Sequence, residues 1–244
     1  MKISVCLHLF YTEMFDDITK YLNNLNLDYK LYVNLTQGHY DNDVITKIKE
    51  FKSDSVIVVN KNKGVDIGGF LNLLELIDDD TDLVLKLHTK RGSGSEETPS
   101  YAIQRHGKEA ALKQAYNWHH NLMKGVLRDV QFVNSVIEKF KTDSNCGMIG
   151  FKLYKGVGLN QKVLNDVIPV LGLSKKVLDY NFIGGTMFWV RYDILKKYFT
   201  KNNIKFLLNL LPENYTLEPS LNHALERIFG YIVQNENKEI CVLN

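Results

Sequence analysis

Short apolar runs alternate with stretches in which apolar residues recur every three or four positions over the first ninety residues of the chain. The runs at 2–10, 29–35, 55–59 and 83–88 have the length and composition of strands. Between them, 14–25, 44–51 and 70–77 have helical spacing, and Phe15, Ile18, Tyr21, Leu22 and Leu25 fall on one face of the first. Strands alternating with helices in this way predict an α/β fold, a mainly parallel sheet flanked by helices on both faces.

The pattern then changes. Residues 91–100 are rich in Gly, Ser and Glu and predict a loop, and helical spacing dominates from Tyr101 to about Phe140, a helical insertion after the fourth strand. A short strand is expected at 146–151, a longer one at 181–190, a helix from Tyr192, and a last helix over 220–233 opened by Pro219. Residues 152–180 carry no readable period. No repeat or linker interrupts the chain, so a single domain over 1–244 is expected.

Composition narrows the partners. With 45% hydrophobic residues in 244 and a formal net charge of +2, the chain can bury a core. Its charge is too small and too evenly spread to make nucleic acid a default partner. Cys6, Cys146 and Cys241 are widely spaced and match no metal spacing, which suits reduced thiols in a cytoplasm. The opening apolar run is followed by Tyr11, Glu13 and Asp16 and fits a first strand better than a leader peptide. No run is long enough to span a bilayer, so a cytoplasmic protein, at most peripheral to the membrane, is expected.

The candidate chemistry begins in the fourth strand. Lys86, His88 and Lys90 alternate with Leu85 and Leu87 and so share one face, with Arg91 next in the chain. Cations in line at the carboxyl end of a strand, where α/β proteins bind ligands, predict a site for a phosphate-bearing substrate. A solvated strand end is the plainer reading, and three cations on one face weigh against it. Asp80-Thr81-Asp82 spells the Asp-x-Asp with which many glycosyltransferases hold a metal, but it precedes the strand, at the amino end. No other carboxylate pair stands where a metal would be needed. No metal is therefore expected, and Lys86, His88 and Lys90 are expected to stabilise a diphosphate.

Three further segments stand out. In Asn62-Lys-Gly64-Val-Asp66-Ile-Gly68-Gly69, glycines let the backbone approach a ligand and Asp66 can accept from a ribose or base; a helix-capping turn gives the same letters. In Phe182 to Arg191, the small Gly184, Gly185 and Thr186 run into Trp189 and Arg191, the pattern of a strand lining a sugar pocket, although aromatic residues in a strand are as often core. On the last helix His223 and Glu226 share a face, so Glu226 can deprotonate a hydroxyl with His223 orienting it. Glu218 is the competing base.

Together these segments resemble the rhamnan synthesis F family of bacterial polysaccharide-building proteins. The matching pieces are Leu7-His8-Leu9-Phe10-Tyr11, Asn62 to Gly68, Leu85 to Lys90, Gly185 to Arg191 and His223-Ala-Leu-Glu226-Arg227, in the family's order. The family usually has Arg at the position of Val65, Pro at that of Gly69, and Asp near Glu218 or Ser220. The resemblance implies a GT-A-like, Rossmann-type glycosyltransferase with a nucleotide-binding half (1–91) and an acceptor-binding half (92–244). It implies a nucleotide-sugar donor, dTDP-rhamnose, and a growing lipid-linked glycan of cell wall, capsule or O-antigen as acceptor, met at the inner face of the membrane. On that implication Asp66 binds the nucleoside, the cationic row meets the diphosphate, and Glu226 or Glu218 is the base of an inverting transfer. The rival expectation is a catalytically silent nucleotide-sugar-binding module that partners a true transferase. A phosphoryl-transfer enzyme ranks third, because no P-loop sequence is present.

Overall fold

The structure, a computed structural model, describes residues 1–90, 108–156, 160–173, 180–214, 216 and 218–243. Seven strands form one sheet in the order β3-β2-β1-β4-β8-β5-β9. Strands β1 (Ile3–Leu9), β2 (Tyr29–Thr36), β3 (Val56–Asn60) and β4 (Leu83–His88) are mutually parallel, as their alternation with helices predicts. Strand β8 (Phe188–Arg191) runs antiparallel between β4 and β5 (Cys146–Gly150), and β9 (Glu239–Cys241) closes the edge parallel to β5. A separate antiparallel pair joins β6 (Leu153–Lys155) to β7 (Asn181–Ile183).

Alternation along the strands divides the core in two. Val5, Leu7, Leu85, Leu87 and Trp189 face α1 (Phe15–Leu22), α2 (Asn42–Phe51), α4 (Lys108–Leu127) and α5 (Val130–Thr142). Cys6, Tyr32, Val84, Phe188 and Val190 face the other layer, α3 (Val65–Leu74), α6 (Gln161–Val167), α7 (Tyr192–Tyr198), α8 (Lys201–Leu210) and α9 (Leu221–Asn235). There Phe70 meets Phe188 and Phe229 edge-on, with ring centroids 6.2 and 5.5 Å apart. Burying each such ring contributes roughly 1.5–3 kcal/mol, which is why α3 and α9 stay on this face.

Several expectations are corrected. Helix α3 starts at Val65 rather than Phe70, because Gly68 and Gly69 belong to its first turns. A Cβ at Gly69 would lie 2.1 Å from His8 Nδ1, so only glycine lets the helix press this closely on β1. The expected strand over 181–190 is two strands in two different sheets, separated by a turn at 184–187 in which Gly185 has φ +81°. The long helical stretch breaks at Asp129, whose side chain accepts from the Phe132 N–H and starts α5. Helix α8, strand β9 and the elements within 152–180 were not legible. Pro219 lies one residue ahead of the true cap of α9, Ser220. The expected loop at 91–100 and the start of the helix that follows it lie outside the described residues.

The strand order positions the site. The chain moves outward from β1 to β3 and then returns to lay β4 on the opposite side of β1. In an open parallel sheet such a reversal leaves a crevice outside the carboxyl ends of the two strands. His8 and His88, paired in register, stand at that point.

Candidate functional site

Three segments converge beyond the ends of β1 and β4. From the first turn of α3, Asp66 Oδ2 accepts from Lys86 Nζ at 2.7 Å and from the Thr186 hydroxyl at 2.6 Å. Lys86 also donates to the Thr186 carbonyl at 2.9 Å and to its hydroxyl oxygen at 3.0 Å. The lysine is fully buried, while the Asp66 side chain keeps 21% of its exposure. Burial opposes ionisation of Asp66, but the Lys86 charge and the hydrogen bonds from Lys86 and Thr186 outweigh it, so the carboxyl sits well below the usual carboxylate range. A carboxylate in a first helical turn also meets the positive end of the helix dipole.

The turn between β7 and β8 supplies the second half. The Gly185 carbonyl lies 2.8 Å from His88 Nε2, and the Gly185 N–H donates to Glu226 Oε1 at 2.9 Å. One backbone residue thus holds the strand-end histidine and the α9 carboxyl together. Burial, against the pull of Asp66, lowers the pKa of His88 and keeps its ring neutral. Of its two nitrogens, Nε2 makes the shorter contact, to the Gly185 carbonyl. The Gly185 carbonyl also favours the charged ring, but burial prevails; the Thr89 carbonyl lies 3.1 Å from Nδ1.

Glu226 differs from Asp66. Burial raises its pKa, the Gly185 N–H opposes the rise, and the Asp66 charge adds to it. Arg227 Nη1 lies 3.6 Å from Oε2, while Nη2 of the same guanidinium donates to Glu218 Oε1 at 3.0 Å. His223 places its Nδ1 2.7 Å from the Ser220 hydroxyl oxygen, at the cap of α9. Glu226 is thus oriented by Gly185 and Arg227, groups that the sequence reading passed over in favour of His223.

The remaining predicted residues are placed as follows. Gly64 begins α3 in a left-handed conformation, with its N–H on the Pro212 carbonyl at 2.8 Å, and Asn62 pairs through its backbone with Asn214. Lys90 is exposed beside the site, and Arg91 lies outside the described residues. Lys86 is not an open cation, because Asp66 already matches its charge. Gly184 packs on Tyr154, whose ring a Cβ would meet at 2.4 Å.

Two expectations fail. Trp189 is no sugar platform: it is fully buried under α4, where its indole N–H donates to the Val126 carbonyl at 2.9 Å. Arg191 pairs with Leu83 at the amino end of β4 and donates to the carbonyls of Cys146, Phe140 and Asp143, a strand length from the site.

The structure adds a polar row that was not read as such. At the ends of β1, β2 and β3, Asn34 Nδ2 lies 3.0 Å from His8 Nδ1, and Asn34 Oδ1 accepts from Asn60 at 2.8 Å and Asn72 at 3.4 Å. Burial pushes the His8 pKa down to about 3, so its ring is neutral, with Nδ1 accepting and the proton on Nε2. The signal was available, since His8 and Asn34 interrupt their apolar runs and Asn60 ends its own. Thr89 completes the rim: its hydroxyl oxygen accepts from the N–H groups of Phe10 and Tyr11 at 3.0 and 3.1 Å.

A largely parallel α/β sheet with ionised and neutral side chains gathered at its switch point defines an α/β protein with a candidate ligand site. Comparison with known proteins narrows this. The family described as rhamnan synthesis protein F matches residues 1–238, and the chain belongs to that family of polysaccharide-synthesis proteins. Two curated relatives, both called uncharacterized protein WxcX, come from Xanthomonas campestris pv. campestris strains ATCC 33913 and B100. Each is 23% identical over 189 residues, covering 75% of this chain and 24% of the relative. The chain thus spans about a quarter of the length of the curated relatives it matches. No solved structure matches it. Among the described residues no helix is long and apolar enough to cross a membrane.

Proposed function

We propose that the chain is a GT-A-type glycosyltransferase domain that moves a sugar, rhamnose on the family's description, from a nucleotide-sugar donor to a growing cell-surface glycan. The observation that carries this reading is the pair of carboxyls at the switch point, driven in opposite directions by their surroundings. Asp66 is held ionised by Lys86, and Glu226 is pushed up by burial. Two neighbouring acids with separated affinities for a proton suit a reaction that needs one fixed anion and one proton acceptor.

In an inverting transfer the acceptor hydroxyl attacks C1 of the sugar as the bond from C1 to the diphosphate oxygen breaks. Glu226 takes the hydroxyl proton, and the diphosphate leaves with the bonding electrons. Glu226 is preferred to Glu218 because it is held at the convergence point by Gly185, whereas Glu218 is tied to Arg227 nearer the surface. Asp66 accepts from the donor's nucleoside or sugar with the oxygen that Lys86 and Thr186 leave open. The Lys90 ammonium meets the diphosphate, which lets the leaving group depart without a metal.

Glu226→Gln should lower transfer by about 10²–10⁴-fold while donor binding and the melting midpoint hold. Glu218→Gln should leave transfer within a few-fold. Equal activity of wild type and Glu226→Gln would remove Glu226 as base. The closed Lys86–Asp66 pair also suits a silent nucleotide-sugar-binding module. That reading wins if wild-type protein binds a donor and consumes none of it with any glycan acceptor.

A further inference from the structure

His119 is 2% exposed, and among the described residues neither of its ring nitrogens has a hydrogen-bond partner. Buried polar groups are nearly always paired, so an imidazole orphaned at both nitrogens asks for an explanation. Nothing in the fold requires it: the neighbouring inward positions on α4 are Leu122, Met123 and Val126.

The course of α4 fixes where this ring lies. Near the carboxyl end of the helix, the Val126 carbonyl accepts from Trp189, which pairs with Leu85 inside β4. One turn earlier, Leu122 covers Gly185, where a Cβ would meet its Cδ2 at 2.7 Å, and the Gly185 carbonyl faces the last residue of β4, His88. A further three residues toward the amino end advance the helix by about 4.5 Å. That step carries His119 beyond the Gly185–His88 contact, toward the carboxyl end of β4. The electrostatics agree. Burial is the main influence on His119 and lowers its pKa to about 4, while Asp17 on α1 opposes the fall and the Lys90 charge adds to it. The ring is neutral and offers one N–H donor and one acceptor nitrogen.

The two walls of the crevice are therefore of different kinds. Asp66, His88 and Glu226 come from the α3 and α9 side, and His119 comes from the α4 side, with Lys90 at the lip between them. We propose that His119 is a donor-binding residue that gives its N–H to a diphosphate oxygen of the nucleotide sugar, on the wall opposite Asp66 and Glu226 and together with Lys90. The inference rests on the nucleotide-sugar reading given above and adds a residue to it. An anion is the favoured occupant because the exposed Lys90 charge reaches the ring and the lysine of the inner row is already matched by Asp66.

The test compares the full chain with His119→Phe, which fills the space without polar atoms, and His119→Gln, which keeps a donor and an acceptor. Binding of dTDP, UDP and the phosphate-free thymidine and uridine is measured by calorimetry, with melting midpoints of the unliganded proteins. His119→Phe should melt at or above the wild-type midpoint, since it removes two unsatisfied polar atoms. It should bind the nucleoside diphosphates about tenfold or more weakly, and the nucleosides as wild type does. His119→Gln should stay within a few-fold. A lowered midpoint with unchanged diphosphate binding would make His119 structural and overturn the proposal. Equal losses for diphosphates and nucleosides would overturn it too, since the ring would then read the base or hold the fold. If wild-type protein binds neither nucleoside diphosphate, the donor reading itself falls, a result separable from a failure of His119 alone.

Discussion

A fully buried lysine beside a carboxylate is costly to assemble and more costly to break. Lys86 and Asp66 are each disfavoured as ions by burial, and each opposes that effect on the other, past cancelling for Asp66 and only in part for Lys86, whose pKa stays lowered. Removing one partner from such a pair typically costs about 3–5 kcal/mol, while replacing both by neutral groups of similar shape is often tolerated. Asp66→Asn should therefore destabilise by that amount in denaturant unfolding, and Lys86→Met added to it should recover most of the loss. A double variant as unstable as the single one would show that the lysine's charge is not the cause. The pH dependence follows from the directions. The folded carboxyl of Asp66 lies below its ordinary value of 3.8, so its contribution is present above that value and fades as pH falls through the folded one. Glu226 runs the other way. Its pKa is raised above 4.5, so the protonated form suits the fold, and the base is available only once pH exceeds the raised value. The acid limb of a transfer profile should therefore lie above the ordinary glutamate range, and an acid limb at or below 4.5 would count against Glu226 as the base.

At the scale of elements, the site depends on how closely α3 lies on β1. Gly69→Ala places a methyl 2.1 Å from the His8 ring, so helix or ring must move, a change that costs roughly 1–3 kcal/mol in a packed core. His8→Ala should be less damaging in that background than in wild type, a non-additivity that a double-mutant cycle by thermal or denaturant melting measures. The same closeness explains what was legible. The strands of the first half could be read because each is a mainly apolar run bounded by turn residues, and Asp66, His88 and Glu226 could be singled out as candidates because polar groups in such surroundings need a reason. The start of α3 could not, since Gly68 and Gly69 look like a loop until the helix is seen against His8. Trp189 and Arg191 were misplaced because alternation gives a side chain's face but not the strand's direction. Strand β8 runs antiparallel to β4, which carries Arg191 to the amino edge and turns Trp189 under α4. His119 gave no signal, since one histidine in a long helical pattern reads as core.

The site exists only at the scale of the whole molecule. Its groups come from β1, α3, β4, the turn at 184–187 and α9, and what unites them is the reversal of strand order between β1 and β4. The same geometry bears on metal use. Asp80 and Asp82 stand at the opposite edge of the sheet, where both engage Lys2, Asp82 Oδ2 accepting its backbone N–H at 2.7 Å. Six residues of β4 at about 3.3 Å each put that edge roughly 20 Å from His88. A divalent ion held by those carboxylates would not reach a diphosphate at the switch point. On the proposed mechanism its place is taken by Lys90 and the His119 N–H. Transfer from a nucleotide sugar should therefore survive exhaustive treatment with a chelator, and Asp80→Asn with Asp82→Asn should leave its rate unchanged. Loss of activity with chelator and its return with magnesium or manganese would sink the metal-free mechanism. If the aspartate variants still behaved as wild type, that outcome would move the ion to Asp66 and Glu226, the carboxyls nearest the leaving group.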